Sequence, residues 1–147
     1  MRSLIFVLQV LSCLSGCQVG TFEDASNHPD LTSLRGSTYR LSDKLVAIGV
    51  TLDQNYQGGV DMIYLVPDPG FSGPEVKARE YINAGATVKV DGALVLRGML
   101  PGEKLFFVLS GIQCSFCDQA KVVVRASSVN GKPVLPDAFV ADRGGGN

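Results

Sequence analysis

Short runs of apolar residues, separated by glycine, proline and asparagine, dominate the chain from residue 37 to residue 142. Several runs are rich in valine, isoleucine and phenylalanine, the side chains that favour strands. The turn signals between them recur about every 8–12 residues, as in small β-barrels and β-sandwiches. The segments predicted as strands are 38–41, 45–52, 62–66, 87–90, 93–97, 104–110, 121–126 and one around 134 or at 139–141.

Glycines add local detail to this pattern. Gly49 interrupts the second run and predicts a bulge or bend in that strand. Asp91-Gly92 and Asn130-Gly131 both have the composition of a type I′ turn. Each dipeptide therefore predicts a tight hairpin between the runs on either side of it.

Residues 74–84 are the one segment predicted as a helix. Pro74 suits the first helical position, and Glu75 and Arg79 are spaced as an ion pair on one helix face. Gly85 can end the helix with a positive φ. The expected fold is therefore mainly β with one short helix.

The order of these elements between residues 45 and 126 resembles the OB fold: a glycine-bent strand, a second strand, a helix and then a hairpin. The resemblance is architectural, and no motif carries it. A β-sandwich is the alternative to this small OB-like barrel. Either architecture implies little about function.

The N-terminus has the pattern of an export signal. A single charge at Arg2 precedes the apolar run 4–14, which is about half the length that a bilayer crossing needs. Residues 14–17 then read Leu-Ser-Gly-Cys. This segment resembles the signal peptide of bacterial lipoproteins, whose lipobox ends in a cysteine. The resemblance implies cleavage after Gly16 and acyl chains such as palmitate on Cys17.

The alternatives to a lipoprotein signal are an ordinary secretory signal and a buried N-terminal strand. Residues 10–13 form a second possible lipobox that ends at Cys13, but Leu11 occupies a position where lipoboxes usually carry a smaller residue. Within the lipoprotein resemblance, Gln18 in place of an aspartate implies the outer membrane. The expected location is the bacterial cell envelope, with the protein lipid-anchored and facing the periplasm. The domains predicted on this basis are a signal peptide at 1–16, a lipidated flexible tether at 17–36, a β domain at 37–142 and a disordered tail at 143–147.

Charge and cysteine content narrow the classes of partner. Loss of Arg2 with the signal peptide leaves 12 basic and 14 acidic residues, so the net charge predicts electrostatic binding neither to nucleic acid nor to anionic lipid. Cys114 and Cys117 remain once Cys17 carries lipid, and outside the cytoplasm such a pair is expected to form a disulfide. A redox role stays open for the pair. A metal site would need further ligands besides these two thiols, and the one histidine, His28, is far from them in the sequence.

The sequence carries no convincing catalytic constellation. Asp61, Asp68 and Asp91 each lie beside a turn or a glycine, where aspartates are usually solvated. Ser72 lacks the spacing of a nucleophile elbow and has no evident base. We therefore expect neither an enzyme nor a cofactor.

Aromatic residues give the one candidate binding patch. Phe71, Phe116, Tyr56 and Tyr64 are the candidates for one binding face, and Phe71 and Phe116 lie in predicted loops. They form either an exposed interaction patch or a cover over the end of the barrel. The favoured function is a membrane-anchored lipoprotein that binds an envelope protein as a non-enzymatic assembly module. The alternatives are a module binding a small ligand or polysaccharide, and a thiol-redox or stress-sensing lipoprotein.

Overall fold

The computed structural model describes residues 20–98 and 103–142. Most of these residues form short strands, and the one helix among them has four residues. The elements are β1 (Thr21–Asp24), α1 (Pro29–Thr32), β2 (Thr38–Leu41), β3 (Leu45–Val50), β4 (Met62–Pro67), β5 (Val76–Ile82), β6 (Thr87–Arg97), β7 (Lys104–Ser110), β8 (Lys121–Arg125), β9 (Ser127–Val129), β10 (Lys132–Val134) and β11 (Phe139–Ala141).

Nine of the strands form one sheet in the order β11-β2-β6-β7-β8-β4-β3-β5, with β1 paired to the second half of β6. All neighbours are antiparallel except β4 and β8. In the described part of the chain β5 and β11 each have one sheet neighbour, so the sheet stays open. The mainly β fold predicted from the sequence is confirmed, and its form is consistent with a β-sandwich.

Two apolar faces result from the alternation of side chains along the strands. The inner face forms one continuous core. The two edge strands, β11 and β5, both contribute side chains to it, so the sheet curves around this core. The outer face carries a smaller buried cluster on the opposite side of the central strands. The inner core includes Leu41, Leu45, Ala47, Ile63, Ile82, Val88, Phe107, Val124 and Phe139, and the outer cluster comprises Val46, Ile48, Val50, Met62, Leu94, Phe106 and Val123.

The helix predicted at 74–84 is wrong, because this segment is the edge strand β5. Ala78, Glu80 and Ile82 are more buried than Lys77 and Arg79, which is the two-residue period of a strand. Pairing with the buried strand β3 outweighed the helix-like spacing of the charges.

The two predicted hairpin turns have different outcomes. Asn130 and Gly131 have φ angles of 51° and 75° and connect β9 to β10, which confirms the second turn. The first is wrong, since Asp91 and Gly92 lie within β6 at a shift in its register with β7. The irregularity predicted at Gly49 is confirmed by a register shift between β3 and β5.

The prediction of a flexible tether at 17–36 is wrong for the part of it that the structure describes. Thr21 to Asp24 pair with β6, and Leu31 in α1 is 4% exposed in the inner core. These contacts hold the segment against the domain. Residues 1–19, with Cys17, and the tail predicted at 143–147 lie outside the described residues. None of the described helices is long and apolar enough to span a bilayer.

Candidate binding surface

A row of four aromatic rings crosses the outer face. Phe22 contacts Phe106 with ring centroids 5.7 Å apart, Phe106 contacts Tyr64 at 5.8 Å, and Tyr64 contacts Phe71 at 5.9 Å. All three contacts are edge-to-face, the favoured geometry for aromatic pairs. The row joins β1, β7, β4 and the loop after β4, so it bridges segments that are distant in sequence.

The aromatic patch is defined as this row together with Val66, Val76, Leu96 and Val108, which pack on the outer cluster and stay partly exposed. Phe106 is buried at the centre, whereas Phe71 is 36% exposed at one end. Burial also raises the pKa of the Tyr64 hydroxyl. Partly exposed apolar side chains over a packed base are typical of a surface that docks on a partner.

Besides Arg79, which lies opposite Ile48, three basic side chains share the outer face with the patch. The strand register places Lys104 opposite Leu96, and Arg125 opposite Phe106. Lys121 lies opposite Met62 in the same way. We call Lys121 and Arg125, at the two ends of β8, the cationic rim.

One carboxylate is also found on this face. Asp24 lies opposite Leu94 in the pairing of β1 with β6. Its oxygen accepts a hydrogen bond from the amide of Ser26 at 2.9 Å, and hydrogen bonding to Ser26 lowers the pKa of this carboxyl group. Asp24 thus ends β1, binds the turn after it and stays ionised, so its single negative charge leaves the rim with an excess of positive charge.

The loop between β4 and β5 covers one end of the outer face. The Arg79 guanidinium donates hydrogen bonds to the carbonyl oxygens of Pro69, at 2.5 Å, and of Phe71. Gly70 has a φ of 73°, and a Cβ on it would lie 2.5 Å from Cδ1 of Ile48. The loop thus approaches the sheet closely only because this residue lacks a side chain, and that approach places Phe71 against Tyr64.

The structure brings together only two of the four aromatic residues predicted to form a patch. Tyr64 and Phe71 are in contact. Tyr56 is 44% exposed in a turn after β3, where Lys77 donates a hydrogen bond to its carbonyl oxygen. Phe116 is 5% exposed and belongs to the inner core, so of the two alternatives for this ring it is not part of an exposed patch but folds back against the domain.

Sequence reasoning missed Phe22 and Phe106 as patch residues. Phe22 lies in the segment predicted as a tether, although its alternation with polar Thr21 and Glu23 is a weak strand signal. Phe106 lies in the predicted strand 104–110, and it is buried in the smaller cluster of the outer face.

Cys114 and Cys117 form the expected disulfide, with their Cα atoms 5.1 Å apart. Ser115 between them donates hydrogen bonds from its amide and its hydroxyl to the Glu80 carboxylate, at 2.9 Å and 2.6 Å. These bonds lower the pKa of Glu80. The side chain of Phe116 enters the inner core from the same loop, so the disulfide, Glu80 and Phe116 together hold the loop in place.

Two of the three aspartates considered for acid–base chemistry, Asp61 and Asp68, have structural partners. Asp61 accepts hydrogen bonds from the Thr51 hydroxyl at 3.0 Å and from the Leu52 amide at 2.8 Å. Asp68 lies 3.6 Å from the Lys44 ammonium. No group of three or more His, Cys, Asp or Glu side chains is placed to hold a metal ion within residues 20–98 and 103–142.

A surface depression of about 570 Å³ lies at the C-terminal end of β5. It is partly open to solvent. Its lining includes Glu80, Asn83, Thr87 and Gln113. Ligand sites are usually more enclosed and more apolar, so the aromatic patch is the stronger candidate site.

No protein-family model matches this chain, and neither a curated protein nor a solved structure shows significant similarity to it.

Proposed function

We propose that this protein is a lipid-anchored component of the bacterial envelope that binds another protein through the aromatic patch and has no catalytic activity of its own. The observation that carries the binding role is the patch itself. Aromatic anchors packed on a rigid sheet lose little conformational entropy on binding, which is typical of interface hot spots. The anchor rests on the lipobox-like residues 14–17.

The chemistry of the surface indicates the kind of partner. An apolar centre fits a complementary apolar surface, and the cationic rim favours Asp and Glu around that surface. Lys121 and Arg125 are exposed on the same face as the patch, four residues apart at the two ends of β8. The partner is therefore a protein with an apolar surface bordered by acidic side chains.

The test is photo-cross-linking in the native host, with the cross-linking amino acid placed at Val108 in the patch. We expect one discrete adduct, identified by mass spectrometry. Lys121→Glu with Arg125→Glu should abolish this adduct, because both substitutions reverse the rim charge. The matched control is Lys132→Glu, which reverses an exposed charge in the separate β9–β10 hairpin and should leave the adduct intact.

The same experiment separates the alternatives. An adduct that survives the rim variant, or no protein adduct at Val108, would contradict the proposed surface. A thiol-redox function instead predicts that Cys114→Ser with Cys117→Ser removes function while the fold is retained. Under our proposal this double variant still forms the Val108 adduct.

A further inference from the structure

The chain is held against the sheet from its first described residue. A Cβ on Gly20 would lie 2.9 Å from Leu96 Cδ1 and 3.1 Å from the Arg97 carbonyl oxygen. Thr21 then pairs with Arg97, and the ladder continues to Asp24. The N-terminal end of the domain is thus fixed at the point where β6 ends.

This attachment shortens the tether that the sequence alone predicts. Only Gln18 and Val19 separate Cys17 from Gly20. Three residue steps span at most ~11 Å, against ~60 Å for an extended tether of nineteen residues. The headgroup layer on each side of a bilayer is itself roughly 5–8 Å thick.

We propose that the domain sits directly on the headgroups of the membrane that holds its lipid, with one end of the sheet in contact with them. This inference rests on the proposed lipidation of Cys17. The contacting surface is the basal end, defined as Gly20, Thr21, Arg97, Glu103 and Lys104. A linker of ~11 Å leaves no room for the domain to stand clear of the lipid surface.

The chemistry of the basal end is suited to headgroup phosphates. Lys104 extends from the end of β7 and offers positive charge to the phosphates. Arg97 pairs with Glu23 at 3.0 Å and with Glu103 at 3.3 Å, so these three side chains and Lys104 together carry no net charge that would repel the phosphates. The partner is a phospholipid surface.

The strand β7 supplies a matched pair of positions to test this seating. Lys104 and Ser110 point to the same face of β7 at its two ends, and six residue steps separate them by roughly 20 Å. We place a photo-cross-linking amino acid at one or the other in the full-length protein. Each lipidated protein is reconstituted in vesicles of phosphatidylethanolamine and phosphatidylglycerol with isotopically labelled phosphate, a label that the protein's own acyl chains do not carry.

We expect a labelled phospholipid adduct at Lys104 at least tenfold stronger than at Ser110. Insertion of a fifteen-residue Gly-Ser linker between Val19 and Gly20 should reduce the Lys104 adduct to the Ser110 level. Equal adducts at the two positions, no adduct at either, or a Lys104 adduct unchanged by the linker would each overturn the seating.

Failure of the anchor itself gives a different result. The intact mass of the purified protein reports the lipid on Cys17, and Cys17→Ser is the reference without it. A protein that lacks the lipid mass overturns the anchor and the seating together. A protein that carries the lipid mass but shows no preference for Lys104 overturns the seating alone.

Discussion

Gly49 and Phe116 show how one small residue determines a contact between distant segments. A Cβ on Gly49 would lie 3.1 Å from Cε2 of Phe116 and 3.0 Å from Cγ2 of Val60. The aromatic ring therefore fills the space that a side chain at position 49 would take. The sequence indicates an irregular strand at Gly49, which is confirmed, but it cannot indicate which ring comes to lie over it.

Gly49→Val is expected to lower the free energy of unfolding by about 1–3 kcal/mol, because the added methyl groups overpack a filled site. Gly59→Val is the matched control, since a Cβ on Gly59 has no atom within 4 Å. Urea unfolding of the two variants measures the difference. A loss for Gly59→Val as large as that for Gly49→Val would show that the crowding around Phe116 is not the cause.

Glu80 gives the disulfide loop a dependence on pH. Hydrogen bonds from Ser115 lower its folded-state pKa below the ordinary 4.5, so the carboxylate stabilises the loop fully above that value. The stabilisation is lost as the pH falls through the lowered folded-state pKa. Reduction of the Cys114–Cys117 disulfide by a phosphine should therefore be several-fold slower in the wild type than in Glu80→Gln at pH 6.

The ratio of the two reduction rates is the informative quantity. The phosphine itself reacts at a rate that depends on pH, but this dependence affects both proteins equally. We expect the ratio to approach one as the pH falls through the lowered pKa of Glu80, where the carboxylate becomes protonated. A ratio that stays constant from pH 6 to pH 3 would contradict a role for the ionised Glu80.

At the scale of elements, β5 shows the limit of local patterns. Glu75 and Arg79 are four residues apart, as on a helix face, and Pro74 and Gly85 suit helix ends. This segment nevertheless forms a strand because of β3. Residues 45–50 of β3 are all buried and require a paired strand on both edges, and β5 supplies one of them. Continuous apolar runs such as β3 and β7 were predicted correctly because they need no distant information.

The exposed cations of β5 each hold a different loop. Arg79 binds the carbonyl oxygen of Phe71, and Lys77 binds that of Tyr56. Arg79→Gln should raise the rate of chymotrypsin cleavage after Phe71 about three- to tenfold, because local opening of the loop becomes easier. Lys77→Gln serves as its control and should raise cleavage after Tyr56 instead. Equal effects of both variants at both sites would indicate general destabilisation rather than two separate clamps.

At the scale of the whole molecule, the aromatic patch could be predicted only in part. Tyr64 and Phe71 were recognised from their types and positions, and both belong to it. Phe22 was missed because four residues of alternation at 21–24 are too short a strand signal beside many polar neighbours. Its position depends on pairing with β6, more than seventy residues later in the chain. Long-range pairing of this kind is the information that a single sequence does not display.

The pairing of β1 with β6 makes the boundary of the folded domain testable by truncation. A protein that lacks residues 1–19 should unfold with the same free energy as the mature chain. Removal of residues 1–26 should lower that free energy by about 2–4 kcal/mol, because Phe106 loses the ring of Phe22 and β6 loses a neighbour. Both proteins are exported with a cleavable signal peptide and unfolded in urea. A flexible tether up to residue 36 would give equal stabilities, and that result would also remove the basis for a short link between the lipid and the sheet.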